Sequence, residues 1–324
     1  FVRFTTKRIR VHNGGNMFKR IILVVMDSVG IGAMPDAAAY DDVGANTMGN
    51  IAKKEKGIYL PALEKLGLGN IEEIEGVKQE KEAQGYFGKL QELSCAKDTI
   101  SGHWEMMGYP VFAPFPLYPN GFPKEIIDAI ARYSKRSILG NIPASGTEII
   151  ERLGEEHMRT GALIVYTSGD SVLQIAAHEN VVPINELYDI CNFVRNEVCI
   201  GDHAVGRIIA RPFVGSSGNF TRTANRHDYS LMPELTVLDL LKADGLSVTG
   251  IGKIGDIFAQ RGLSKSLRTS SNDNGMQVLQ QELAENKFPG LIFLNLLDFD
   301  SMYGHRRDPV GYAKALERLD GQLS

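Results

Sequence analysis

Apolar runs alternate with amphipathic segments along almost the whole chain. Ile21 to Met26 and Leu291 to Leu297 are long apolar runs, the pattern of strands buried on both faces of a parallel sheet. Ala162 to Tyr166, Gly206 to Ala210 and Ser247 to Ile251 read as further strands, and Gly85 to Leu93 alternates as a half-buried one would. Helical spacing predicts helices over Thr47 to Glu55, Leu60 to Leu66, Lys124 to Tyr133, Glu186 to Arg195, Leu235 to Leu241 and Gly275 to Glu285. A last one follows Pro309, with Val310, Ala313, Leu316, Leu319 and Leu323 on one stripe. The alternation predicts an α/β fold with a largely parallel sheet between helices.

The pattern also divides the chain. Between Tyr109 and Pro123, Pro110, Pro114, Pro116, Pro119 and Pro123 interrupt any periodicity and mark a domain boundary. The polar, aperiodic stretch from Arg222 to Tyr229 reads as the return crossing. The expected organisation is a core over residues 17–114, an inserted α/β domain over 115–230, and the core resumed over 231–324. Residues 1–16 carry Arg3, Lys7, Arg8 and Arg10 without an acid or an apolar core, so they read as a leader or extension ahead of Met17 rather than a secretory signal.

Charge and cysteine content narrow the functional classes. Thirty-five basic against 39 acidic residues give a net charge of −4, so no general basic field argues for nucleic acid, and phosphate binding must come from local clusters. Three cysteines without metal-finger spacing favour a reducing, cytoplasmic setting. No apolar run approaches the ~20 residues that span a bilayer.

The chemistry is concentrated where strands end. In open α/β sheets ligands bind outside the strand C-termini, and both long apolar runs end there in acids: one at Asp27, the other at Asp298-Phe299-Asp300 with His305 close behind. Carboxylate oxygens beside an imidazole suit Mn²⁺ or Zn²⁺ better than Mg²⁺ or Ca²⁺. An i, i+5 pair does not converge on a rigid α-helix, so 300–305 is expected to be a loop folding back at Gly304. The alternatives are a helix-capping Asp27 and a solvated loop in which Asp300 pairs with Arg306 or Arg307. Between the runs stands Lys97-Asp98-Thr99-Ile100-Ser101-Gly102-His103-Trp104-Glu105, with the only Trp of the chain. Thr99 is a nucleophile only if a metal activates it; His103 and Trp104 also read as a packed core pair. Arg207, Arg211, Arg222, Arg226 and Lys253 offer donors to phosphate around Ser168 and Asp170, the latter suited to a sugar hydroxyl. Gly250-Ile251-Gly252-Lys253-Ile254-Gly255 matches the dinucleotide fingerprint but has no acid ending a second strand ~20 residues later.

Taken together, Val24 to Gly32, Lys97-Asp98-Thr99 with Gly102 to Glu105, Arg207 to Pro212, Asn219 to Thr223, Asn225 to Tyr229, and Asp298-Phe299-Asp300 with Gly304 to Asp308 closely resemble the phosphopentomutases, from about Phe18 to Ser324. The resemblance implies an alkaline-phosphatase-like core with an inserted cap domain and two Mn²⁺ ions. It implies exchange of ribose 1-phosphate or 2-deoxyribose 1-phosphate with the 5-phosphate, through a phosphothreonine and a sugar bisphosphate intermediate. A sugar bisphosphate activator such as glucose 1,6-bisphosphate would charge the threonine. Residue by residue, it makes Thr99 the nucleophile, Asp27, Asp300 and His305 metal ligands, and Ser168, Asp170, Arg207, Arg222 and Lys253 substrate contacts. The partner is then a small phosphopentose, not nucleic acid or a membrane. The family pattern continues with a strand carrying an Asp-His pair and then a further His, all metal ligands, and these are absent from this sequence. The expectation is a truncated mutase holding part of a binuclear site, with a sheet edge exposed. A silent fragment that only binds phosphosugars, or another phosphatase or mutase of the superfamily, are the alternatives.

Overall fold

A computed structural model describes residues 19–285 and 288–323, so the basic leader lies outside the described residues. The strands in chain order are β1 (Arg20–Met26), β2 (Ile138–Pro143), β3 (Leu163–Thr167), β4 (Val172–His178), β5 (Arg207–Val214), β6 (Thr221–Arg222), β7 (His227–Ser230), β8 (Ser247–Ile251), β9 (Lys265–Leu267) and β10 (Gly290–Leu296). The helices are α1 (Thr47–Glu55), α2 (Pro61–Lys65), α3 (Thr99–Met106), α4 (Lys124–Ser134), α5 (Gly146–Thr160), α6 (Ile184–Phe193), α7 (Val237–Ala243), α8 (Ile254–Ile257), α9 (Asn272–Glu285) and α10 (Pro309–Gln322).

Two sheets organise these elements. The first has the order β1-β10-β8-β9, and every pairing in it is parallel. Side chains of a strand alternate between faces, and β10 illustrates the consequence. Ile292, Leu294 and Leu296 join Met48, Ile51, Tyr312 and Leu316 from α1 and α10 on one face, while Leu291 and Phe293 join Ile100, Trp104, Leu238 and Phe258 on the other. Helices thus cover both faces, which is why β1 and β10 are predominantly apolar on both. The fold is the α/β architecture with a largely parallel sheet between helices that the sequence predicts.

The second sheet lies between β1 and β8 in the sequence. Its order is β2-β3-β4-β5-β6, with β7 also paired to β5. β3 and β4 are antiparallel, β4 and β5 parallel. Helices α4 and α6 pack Ile126, Ile130, Leu187 and Ile190 on one face of it, and α5 packs Ile149 and Ile150 on the other against Ile164, Tyr166 and Phe213.

Three local expectations are corrected. Residues 85–93 form no strand: Tyr86, Leu90 and Leu93 are exposed, and the stretch is held at its end by Glu105, whose carboxylate accepts from the backbone N–H of Leu93 and of Ser94, both at 2.7 Å. Alternation alone makes no strand where no neighbouring backbone pairs with it. The stretch expected as a return crossing instead supplies β6 and β7, recruited to β5 by backbone pairing that polar side chains do not oppose at an edge. The 300–305 segment is not an open loop but a single π-helical turn, Phe299–Gly304.

Two buried histidines tie this architecture to pH. His157 on α5, fully buried, donates from Nδ1 to the Ala162 carbonyl at 2.5 Å and accepts at Nε2 from the His178 backbone N–H at 2.8 Å. Burial holds its pKa below the ordinary histidine value, as it does for His103. The unfolded chain therefore binds protons below pH ~6.5 that the folded chain does not, so stability is intact above that pH and declines as pH falls. Urea midpoints measured from about pH 8 down to pH 5 are expected to fall below that value, and His157→Leu is expected to flatten the slope while lowering stability at neutral pH.

Candidate active site

All strands of the first sheet point the same way, so the residues that follow β1, β8 and β10 emerge at one edge. Asp27 is the first residue beyond β1, and its backbone N–H still donates to the Leu296 carbonyl at 3.1 Å, extending the ladder by one rung. The residue is 8% exposed. Ser28 then takes the left-handed region, φ 67°, an uncommon conformation for a residue with a side chain, and turns the chain away. Its hydroxyl lies 3.1 Å from that of Tyr312.

Thr99 opens α3. Asp98 caps the helix, its Oδ1 accepting from the N–H groups of Ile100 at 2.8 Å and Ser101 at 3.0 Å. That cap fixes where the first turn begins, and so where the Thr99 hydroxyl stands: 3.4 and 3.5 Å from the two carboxylate oxygens of Asp27. A helix N-terminus also favours negative charge, which a phosphorylated hydroxyl there would carry.

Asp300 and His305 converge because of the π turn. Its i→i+5 bond, from the His305 N–H to the Asp300 carbonyl at 3.0 Å, brings together side chains that an α-helix would splay. His305 Nε2 stands 3.4 Å from Asp300 Oδ2. Gly304 suits the close approach, since a Cβ there would meet the Phe299 carbonyl at a tight 3.1 Å. Burial raises the Asp300 pKa; His305 and Lys253 oppose that shift, while Asp27 and Asp170 add to it. Neighbouring Asp298 is structural, accepting from the Asn272 N–H at 2.7 Å at the start of α9.

Lys253 follows β8 through Gly252, whose φ of 79° and 2.5 Å approach of the Asn295 carbonyl to a built Cβ leave no room for a side chain. Burial and then Arg207 pull the Lys253 ammonium below its usual range, while Asp27 and Asp300 push it back. The glycine fingerprint around Lys253 is thus explained by packing. Its helix α8 has four residues, too short for a dinucleotide cradle.

The second sheet faces this edge. Because β4 reverses on β3 and runs with β5, the β3–β4 turn carrying Ser168 and Asp170 lies at the same end as Arg207. Asp170 acts on Asp300, and Arg207 on Lys253, so charges of both units share one field. Asp228 organises the arginines: Arg226 engages it through two bonds of 2.7 and 2.6 Å, and Arg207 lies 3.6 Å from it. Arg222 stands apart, paired opposite Phe213 six rungs along β5 from Arg207. Its guanidinium sits 3.6 Å from a Cβ built on Gly146 at the start of α5, where the buried Tyr166 hydroxyl has no hydrogen-bond partner.

The donors suit a divalent cation in kind. They do not complete a site in number: among the described residues no three His, Cys, Asp or Glu side chains form a group able to hold an ion. They come as two pairs, Asp27 with the Thr99 hydroxyl and Asp300 with His305, and each falls short of the roughly four to six ligands such ions take. Water, substrate oxygens or donors outside the described residues would supply the remainder.

Residues 19–324 match the family model of the Metalloenzyme superfamily. The chain belongs to that superfamily. Metal dependence follows from membership, and the acids at the sheet edge are oxygen donors of the kind such an ion takes. Two residues of this region were not singled out in the sequence: Asn295, the one polar residue within the apolar run from Leu291 to Leu297 and so a visible signal, and Tyr166, which gave none; Arg226 was among the candidate phosphate donors, but its pairing with Asp228 was not legible. Asp98→Ala is expected to lower stability by about 1–2 kcal/mol through loss of the cap, measured by urea unfolding, and to displace the Thr99 hydroxyl with it.

Proposed function

We propose that this member of the Metalloenzyme superfamily is a phosphopentomutase, exchanging ribose 1-phosphate or 2-deoxyribose 1-phosphate with the 5-phosphate through phosphorylated Thr99. The observation that carries the reading is the Thr99 hydroxyl at a capped helix N-terminus facing Asp27, beside the Asp300–His305 pair. The resemblance of the motifs to the phosphopentomutases supplies the substrate.

In this reading Asp27, Asp300 and His305 would hold two divalent ions, Mn²⁺ in the expected case, which neutralise phosphoryl charge and lower the pKa of an attacking hydroxyl. Phosphoryl transfer otherwise asks mainly for position and charge. Lys253, Arg207 and Arg226 supply that charge from both units, and the fork geometry of arginine suits a phosphate oxygen pair. Ser168 and Asp170 accept or donate to the sugar hydroxyls. Arg222 would serve the phosphate remote from Thr99, with the free Tyr166 hydroxyl as a further donor. Phosphothreonine gives its phosphoryl group to the pentose phosphate, producing a bisphosphate; that intermediate turns over and returns the other phosphate to Thr99. The second sheet acts as a cap that keeps out water, the competing acceptor. A sugar bisphosphate activator charges Thr99 at the outset, and the three unpaired cysteines accord with a cytoplasmic enzyme.

A second reading is favoured by one observation, the lack of a three-donor group among the described residues: a chain that binds phosphosugars without turning them over. Incubation with Mn²⁺ and glucose 1,6-bisphosphate, followed by peptide mass spectrometry, is expected to find phosphate on Thr99 and conversion of ribose 1-phosphate to the 5-phosphate. Thr99→Ala is expected to abolish both with unchanged folding. Retained turnover in that variant would refute the nucleophile. Phosphosugar binding without phosphate on Thr99 would favour the silent reading, and preference for phosphoglycerate would move the chain to another activity of the superfamily.

A further inference from the structure

The acidic edge of the first sheet is backed by a buried polar chain that no metal or phosphate contact requires. Asn295 is 2% exposed and lies on the face of β10 that also carries Phe293. Its Nδ2 donates to Asp27 Oδ2 at 3.1 Å and lies 3.2 Å from His103 Nε2. His103, equally buried, stacks on Phe293 at 5.7 Å, and its Nδ1 lies 2.7 Å from the Thr99 carbonyl.

Donor and acceptor chemistry allows one arrangement of these groups. A carbonyl only accepts, so His103 Nδ1 carries the proton; Nε2 is then an acceptor and takes one hydrogen of the Asn295 amide. The other hydrogen goes to Asp27. Turning the amide over would set its oxygen against a carboxylate, and protonating His103 would set two donors against each other. The neutral imidazole that this requires is what burial favours.

We propose that Asn295 and His103 are positioning residues that orient the Asp27 carboxylate for a divalent cation and tie it to the backbone of Thr99. This rests on the metal-site reading given above. The chain runs from the Thr99 carbonyl through His103 and Asn295 to Asp27 Oδ2, so one oxygen of the carboxylate is held by a buried amide. Thr99 and Asp27 come from elements 72 residues apart, and this bridge keeps their spacing independent of whatever else occupies the site. Groups that orient ligands in this way are typically worth about 10- to 100-fold in metal affinity.

The test is calorimetric titration of the full chain with MnCl₂ alone, with thermal melts in the absence of metal. Asn295→Ala is expected to weaken Mn²⁺ binding by about 10- to 100-fold. His103→Leu, which replaces a neutral buried ring by an apolar side chain and so keeps the fold, is expected to weaken it similarly. His103→Gln, which retains an acceptor for the Asn295 amide, is expected to restore it. Wild-type affinity in a folded Asn295→Ala or His103→Leu chain would overturn the proposal, as would loss in His103→Gln equal to that in His103→Leu. If Asn295→Ala does not fold, the His103 pair decides alone. Absence of Mn²⁺ binding by the wild-type chain would overturn the metal reading itself and the proposal with it, and that result is read before any variant is compared.

Discussion

The parallel register between β1 and β10 is the constraint on which the rest depends. Arg20 pairs with Gly290 and Met26 with Leu296, so two segments about 270 residues apart in the chain end on the same line. Had they paired antiparallel, Asp27 and Asp300 would lie at opposite edges of the sheet. Burial on both faces fixes that register, because a slip of one residue would exchange Phe293 and Leu294 between cores built for one of them.

That convergence carries an electrostatic penalty. Asp27 and Asp170 both act on Asp300 in a partly buried setting, Lys253 after β8 and His305 across a π turn oppose them, and Arg207 and Arg226 from the second sheet act in turn on Lys253. Acids held together this way favour a cation, and the adjoining bases favour an anion. Arrangements in which both are needed at once suit a phosphate carried to a metal.

Geometry departed from expectation where backbone irregularity does the work. The Asp300–His305 spacing was legible, but α-helical reasoning sends those side chains apart; the wider π turn reunites them. Residues 85–93 alternate without becoming a strand, whereas polar 221–222 and 227–230 become strands beside β5. In each case the outcome depends on whether a second backbone is at hand, which a local pattern does not encode.

The sequence by itself determined the α/β class, the acids closing the two long strands, the candidate nucleophile and the superfamily, because burial on two faces and metal or phosphate chemistry restrict residue types at fixed local positions. Tertiary structure alone decided the rest. Which arginines face Lys253, why Arg222 stands six rungs away, and how Asn295 links His103 to Asp27 all follow from strand order and direction. The buried hydrogen-bond chain is the clearest instance: its members are ordinary residues in sequence, and they acquire a role only when β10 passes beneath α3 and the Asn295 Nδ2 meets both Asp27 and His103.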